Sequence, residues 1–153
     1  MRSHLIVVAC GLLALATGCK PTPPVYTAPT TVQKLARLPI PPSATNGMCR
    51  TDRDDIGPFD LPQPDHRYWG RFDIPSADLP LVLAGMPKDA PPKQFAGDSN
   101  VLTHTHAEAW WQPRQLRDPQ VAEWSAPGFS TNLLIGNTGQ DGMLTVYFFN
   151  FSM

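Results

Sequence analysis

The C-terminal run "NLLIGNTGQDGMLTVYFFNFSM" (132–153) constrains the fold more than any other part of the chain. Two apolar, β-rich segments flank "TGQDG", where Gly139 and Gly142 can take positive φ, so the run predicts a β-hairpin. In its second strand Leu144, Val146, Phe148 and Asn150 share one face, and Thr145, Tyr147, Phe149 and Phe151 the other. Aromatic residues on both faces predict a central strand, or one covered on both sides.

Upstream, "HRYWGRFDI" has strand character, with Tyr68, Gly70 and Phe72 on one face and Trp69, Arg71 and Asp73 on the other. "PSADLPLVLAG" predicts a short, mostly buried helix. Ser76 suits the N-cap, Asp78 the first turn and Gly85 the C-terminal stop. "VLTHTHAEAWWQP" predicts a strand running into Pro113. "DPQVAEW" predicts a turn of helix, with Asp118 as N-cap and Pro119 at N1. "MCRTDRDDIGPFDLPQPD" and "MPKDAPPKQFAGDSN" read as loops. The order predicts an α+β fold: a small antiparallel sheet of about 3–5 strands, one main helix on one face, and the C-terminal hairpin.

The N-terminus carries a different signal. Arg2 precedes an apolar run from Leu5 to Leu15 that is shorter than the roughly 20 residues a bilayer span needs. A charged start, a short apolar stretch and small residues before a cleavage site describe an export signal over 1–18. A buried N-terminal helix would show an amphipathic period, and none is present. "ALATGCK" resembles the lipobox of bacterial lipoproteins, with Ala16 where that motif prefers Leu. The resemblance implies cleavage after Gly18 and acylation of Cys19, palmitate included, which would anchor the chain to the bilayer of the cell envelope. Lys20 stands where an Asp would signal inner-membrane retention, which favours the outer membrane. An ordinary cleaved signal without lipid is the alternative.

Residues 19–47 read as a lipid-attached tether. Pro21, Pro23, Pro24, Pro29, Pro39, Pro41 and Pro42 favour polyproline-like extension, and "TTVQKLARL" between them is too short for a stable isolated helix. Fully extended, such a linker reaches on the order of 80 Å. Residues 48–153 are then a single domain near the modal domain size. Its order of elements, with an aromatic strand, a "P-x-A-D" helix and a "WW-x-P" segment, resembles small exported bacterial lipoproteins. Some of these are immunity or inhibitor partners of secreted toxins.

A net charge of −1 conceals an asymmetry, because every Asp and Glu lies beyond residue 50. The tether is basic and the domain acidic, a poor composition for nucleic-acid binding. Cys10 leaves with the signal and Cys19 is blocked by lipid, so Cys49 is the one free thiol of the mature chain: a buried thiol, or the link of a covalent dimer.

Three constellations bear on function. His104, His106 and Glu108 alternate along one strand face, a spacing used by zinc sites and equally that of an exposed polar face. "DRDDIG" starts like a calcium loop, but Ile56 and Gln63 break the EF-hand pattern. Trp69, Trp110 and Trp111, with Arg114 nearby, have the composition of a protein-binding hot spot, or of a packed core. No nucleophile elbow, phosphate loop or nucleotide fingerprint is present. The expectations are a membrane-anchored protein that binds a protein partner, a metal-binding lipoprotein or metal-dependent enzyme, or a structural envelope lipoprotein.

Overall fold

The C-terminal hairpin forms as its sequence predicts and lies at the middle of the sheet. The computed structural model describes residues 24–52, 66–97, 101 and 108–152. In chain order the elements are helix α1 (Pro29–Ala36), strands β1 (Thr45–Thr51) and β2 (Arg67–Pro75), a 3₁₀ turn (Ser76–Asp78), helix α2 (Leu79–Leu83), β3 (Lys93–Gln94), a second 3₁₀ turn (Pro113–Gln115), β4 (Arg117–Ala126), β5 (Phe129–Asn137) and β6 (Met143–Ser152). The strands of the described residues make one six-stranded sheet in the order β1-β2-β6-β5-β4-β3. Every neighbouring pair is antiparallel.

β6 is the central strand that its two apolar faces predict. Phe148 aligns with Gly70 on β2 and with Leu133 on β5; Tyr147 aligns with Arg71 and Leu134. One face of the sheet carries Tyr68, Phe72, Ile74, Leu133, Ile135, Val146 and Phe148, and α1 closes it with Val32, Leu35 and Ala36. The other face carries Trp69, Leu134, Tyr147 and Phe149, and is covered by Val101, Trp111 and Leu116 from the segment before β4.

The expected α+β fold with a 3–5-stranded sheet and one main helix is therefore corrected. Among the described residues the domain is mostly sheet, with six strands and two short named helices. Two segments account for the difference. "DPQVAEW" is strand, not helix. Asp118 adopts φ 45° at the irregularity between Arg117 and Gln120, where the β4–β5 register shifts. A proline at such a bulge sacrifices no ladder hydrogen bond, so Asp-Pro here marks a bulge instead of a helix start. β1, "TNGMCRT", is an edge strand whose exposed, polar residues hide its period.

The expected main helix shrinks to α2, in which Val82 is buried and Leu81 is 52% exposed. The sheet-covering helix is α1, inside the segment that reads as tether. Val32, Leu35 and Ala36 are at most 1% exposed. Arg37 ends the helix in the left-handed region, φ 55°, and its guanidinium lies 3.9 Å from the centroid of the Phe129 ring. On β6, Asn150 donates from Nδ2 to the Leu35 carbonyl. Tyr26 pairs with Cys49 through two backbone hydrogen bonds of 2.8 and 2.9 Å on the outer edge of β1. Residues 26–47 thus belong to the folded domain, because docking supplies the stability that this short helix lacks alone.

Cys49 is fully buried in the α1-side core. Burial pushes its thiol up to about 12. A disulfide between copies would require this core to open at Cys49.

Candidate functional site

The face of the sheet opposite α1 collects four of the residues that the sequence singles out, together with charged groups that it does not. Alternation along β2 puts Trp69, Arg71 and Asp73 on this face, and alternation along β6 adds Thr145, Tyr147 and Phe149. Arg50 on β1 lies opposite Trp69 and so points the same way. The segment 108–116 crosses over them and brings Glu108, Trp110 and Trp111.

Two ion pairs organise the polar part. Arg71 Nη2 lies 2.6 and 2.8 Å from the two Asp73 carboxylate oxygens. Asp73 also accepts from Thr145 Oγ1 at 2.6 Å and from Asn46 Nδ2 at 2.8 Å. Arg50 pairs with Glu108, fastening the covering segment to β1. These four charged side chains are only 10–19% exposed, and a buried charge of this kind persists because a partner compensates it. Arg71 Nε and Glu108 Oε2 are buried and make no hydrogen bond.

The aromatic part is a chain of edge-to-face contacts. Trp111 meets Tyr147 at 5.2 Å between centroids and 86° between planes, and Trp110 meets Trp111 at 5.9 Å and 89°. Arg71 stands 5.5 Å from the Tyr147 centroid. Burial raises the Tyr147 phenol above its ordinary pKa, and the nearby Arg71 offsets part of that rise.

Trp69 and Trp111 are 6% and 5% exposed, so they are core residues of this face. Trp110 is half-buried, and Arg114 is exposed on the 3₁₀ turn Pro113–Gln115. Adjacent residues of a strand would point apart, but residues 108–111 form a turn closed by the bond from Trp111 N to Glu108 O, 3.0 Å. The expected strand over 101–113 is therefore not continued through the tryptophans.

Glu108 pairs with Arg50 through Oε1. His104 and His106 lie outside the described residues, as do Cys19 and the acidic loop from Asp54 to Asp60. Among the described residues no three His, Cys, Asp or Glu side chains are grouped to hold a metal ion. His66 is 3% exposed on the α1 side, with its Nδ1 unbonded and its ring 6.2 Å from Tyr68.

Arg50, Arg71, Asp73 and Tyr147 were not singled out from the sequence. The alternation of β2 already places Arg71 and Asp73 beside Trp69. What the sequence lacked was the β2–β6 pairing that sets Tyr147 and Thr145 next to them. Comparison with protein-family models, curated proteins and solved structures returned no significant match.

Proposed function

We propose that the chain is an exported lipoprotein, anchored through Cys19 in the outer membrane in preference to the inner one, whose domain acts by binding a protein partner through the Trp110–Arg114 edge of the covering segment. The observation that carries the binding reading is the edge-to-face series Tyr147, Trp111, Trp110. It fixes the half-buried Trp110 on a packed base, four residues before the exposed Arg114. Trp and Arg dominate interface hot spots, and an anchor already held in place loses little conformational freedom on binding. An immunity or inhibitor role is the finer form of this proposal, supported by the resemblance to small exported lipoproteins. The anchor is supported by the export signal and "ALATGC".

A metal role for His104, His106 and Glu108 is the second reading: Arg50 takes Glu108 Oε1, and Oε2, which makes no hydrogen bond, is the oxygen left for a metal.

The anchor is tested by labelled-palmitate incorporation, with wild type labelled and membrane-bound and Cys19→Ser unlabelled and released. The binding edge is tested with a photo-crosslinking residue at Gln112 in cells of the source organism. A discrete adduct that disappears in Trp110→Ala/Arg114→Ala, and is absent when the crosslinker sits at Lys88, is expected. Adducts indifferent to those substitutions would refute the edge.

A further inference from the structure

We propose that α1 docks the domain directly onto an anionic lipid surface, so that the domain lies against the membrane in a fixed orientation instead of standing off it. The proposal rests on the Cys19 anchor. The first observation is length. The chain is fixed to the sheet at Tyr26 by its two bonds to Cys49, seven residues after Cys19 in the sequence. Covalent geometry limits that stretch to about 25 Å. A folded unit of this size has a radius of gyration near 14 Å. An anchor on so short a leash holds the domain within about one molecular diameter of the headgroups.

The second observation is which side is nearest. α1 begins at Pro29, three residues beyond Tyr26. Its inner positions are spent on the core. Its outer positions, with Arg37 and Leu38, line an open depression of about 420 Å³ whose walls are Thr30, Gln33, Lys34, Arg37 and Leu38. The lining carries two cationic side chains and no acidic one. The third observation is charge. The chain has no acidic residue before Asp52, while Lys20 adjoins the anchor itself. Cations on the anchor side and phosphodiesters on the bilayer are complementary, and each basic residue near such a surface is worth roughly fivefold in the docked-to-free ratio.

The test uses full-length lipidated protein reconstituted into vesicles, one set zwitterionic and one containing anionic phosphatidylglycerol, each with a headgroup-linked acceptor dye. A donor dye is placed at Ala28→Cys, beside α1, or at Gln140→Cys, in the β5–β6 turn at the far end of the sheet from Asn150. Cys49 is buried and does not compete for label. Docking predicts that anionic lipid raises transfer from residue 28 and lowers it from residue 140. Lys34→Glu, at an exposed position, should cut the docked-to-free ratio roughly fivefold or more, and high salt should do the same. Transfer that is equal in both vesicle types and unchanged by Lys34→Glu overturns the docking while leaving the anchor intact. Protein that carries no lipid and does not float with either vesicle overturns the anchor, and the docking with it.

Discussion

Leu35→Ala separates a folded N-terminal segment from a tether. Leu35 is 1% exposed on the inner face of an eight-residue helix. Alone in water a helix of that length is marginal, so α1 persists through what it buries. The substitution removes three carbons, a transfer loss of about 2.4 kcal/mol at ~0.8 kcal/mol per buried methylene-sized group. Collapse of the space is hindered because the Leu35 carbonyl is held by Asn150 and the flanking Val32 and Ala36 are themselves packed. Part of a cavity term therefore survives, and the total should be about 3 kcal/mol. In urea, with a slope of about 1.5 kcal/mol per molar, the midpoint should fall by about 2 M. The assay is tryptophan fluorescence on the Cys19→Ser protein, with Gln33→Ala, on the exposed side of the same helix, as the reference within about 0.5 kcal/mol of wild type. A Leu35→Ala change below about 0.5 kcal/mol would mean that α1 lies outside the cooperative unit, and the segment 19–47 would revert to a tether.

Gly70→Ala should cost about 3 kcal/mol by thermal or urea unfolding, since a Cβ there would come within 2.4 Å of both Met48 O and Phe148 Cζ; Gly47→Ala, whose nearest neighbour would be Val32 at 3.7 Å, should change stability by under about 1 kcal/mol. Cys49 should resist thiol reagents in the native protein and react at once in denaturant. Because burial raises its folded-state pKa from 9.0 to about 12, the stabilisation is complete below pH 9 and is lost as pH rises towards 12, at about 1.4 kcal/mol per pH unit; Cys49→Ala should lack that slope, which urea midpoints across the range will show. Asp73→Ala removes the acceptor of Arg71, Thr145 and Asn46 together and should cost about 2 kcal/mol, whereas Asp73→Asn keeps an acceptor oxygen and should cost less in the same unfolding assay.

The parts of this fold that were legible are those in which one residue pattern has one physical solution. The "TGQDG" hairpin needs positive φ at Gly139 and Gly142, and both adopt it. The two apolar faces of "LTVYFFNF" needed cover on both sides, and both are covered. The illegible parts are those in which a local pattern had two solutions and tertiary contacts chose. Asp118-Pro119 serves equally as a helix start and as a bulge. "TTVQKLARL" between prolines is too short to be a helix alone, and becomes one because a sheet face lies beneath Val32 and Leu35. In the candidate site, the sequence marked Trp110 and Trp111 but put them on a predicted strand, where adjacent residues point apart; the turn at 108–111 overrides that geometry. Arg71 and Asp73 escaped notice because an Arg-x-Asp pair acquires meaning only through the neighbours that the β2–β6 register supplies.

The two ends of the sheet meet the problem of open strand edges differently, and the difference bears on how the anchor and the fold are connected. An exposed edge is a template for pairing with another chain. At one end the covering strand is β3, two residues long, over Val121 and Gln120. At the other, the cover for β1 is the incoming chain itself, through the Tyr26–Cys49 bridge. If Cys19 carries the lipid, any force along the chain from the membrane is delivered first to that bridge and to α1, three residues further on. Edge protection, helix docking and attachment then share one short stretch of sequence. Proline fits that stretch because it needs no ladder partner where the chain leaves the sheet. Loss of the helix would at once bare the β1 edge and lengthen the leash.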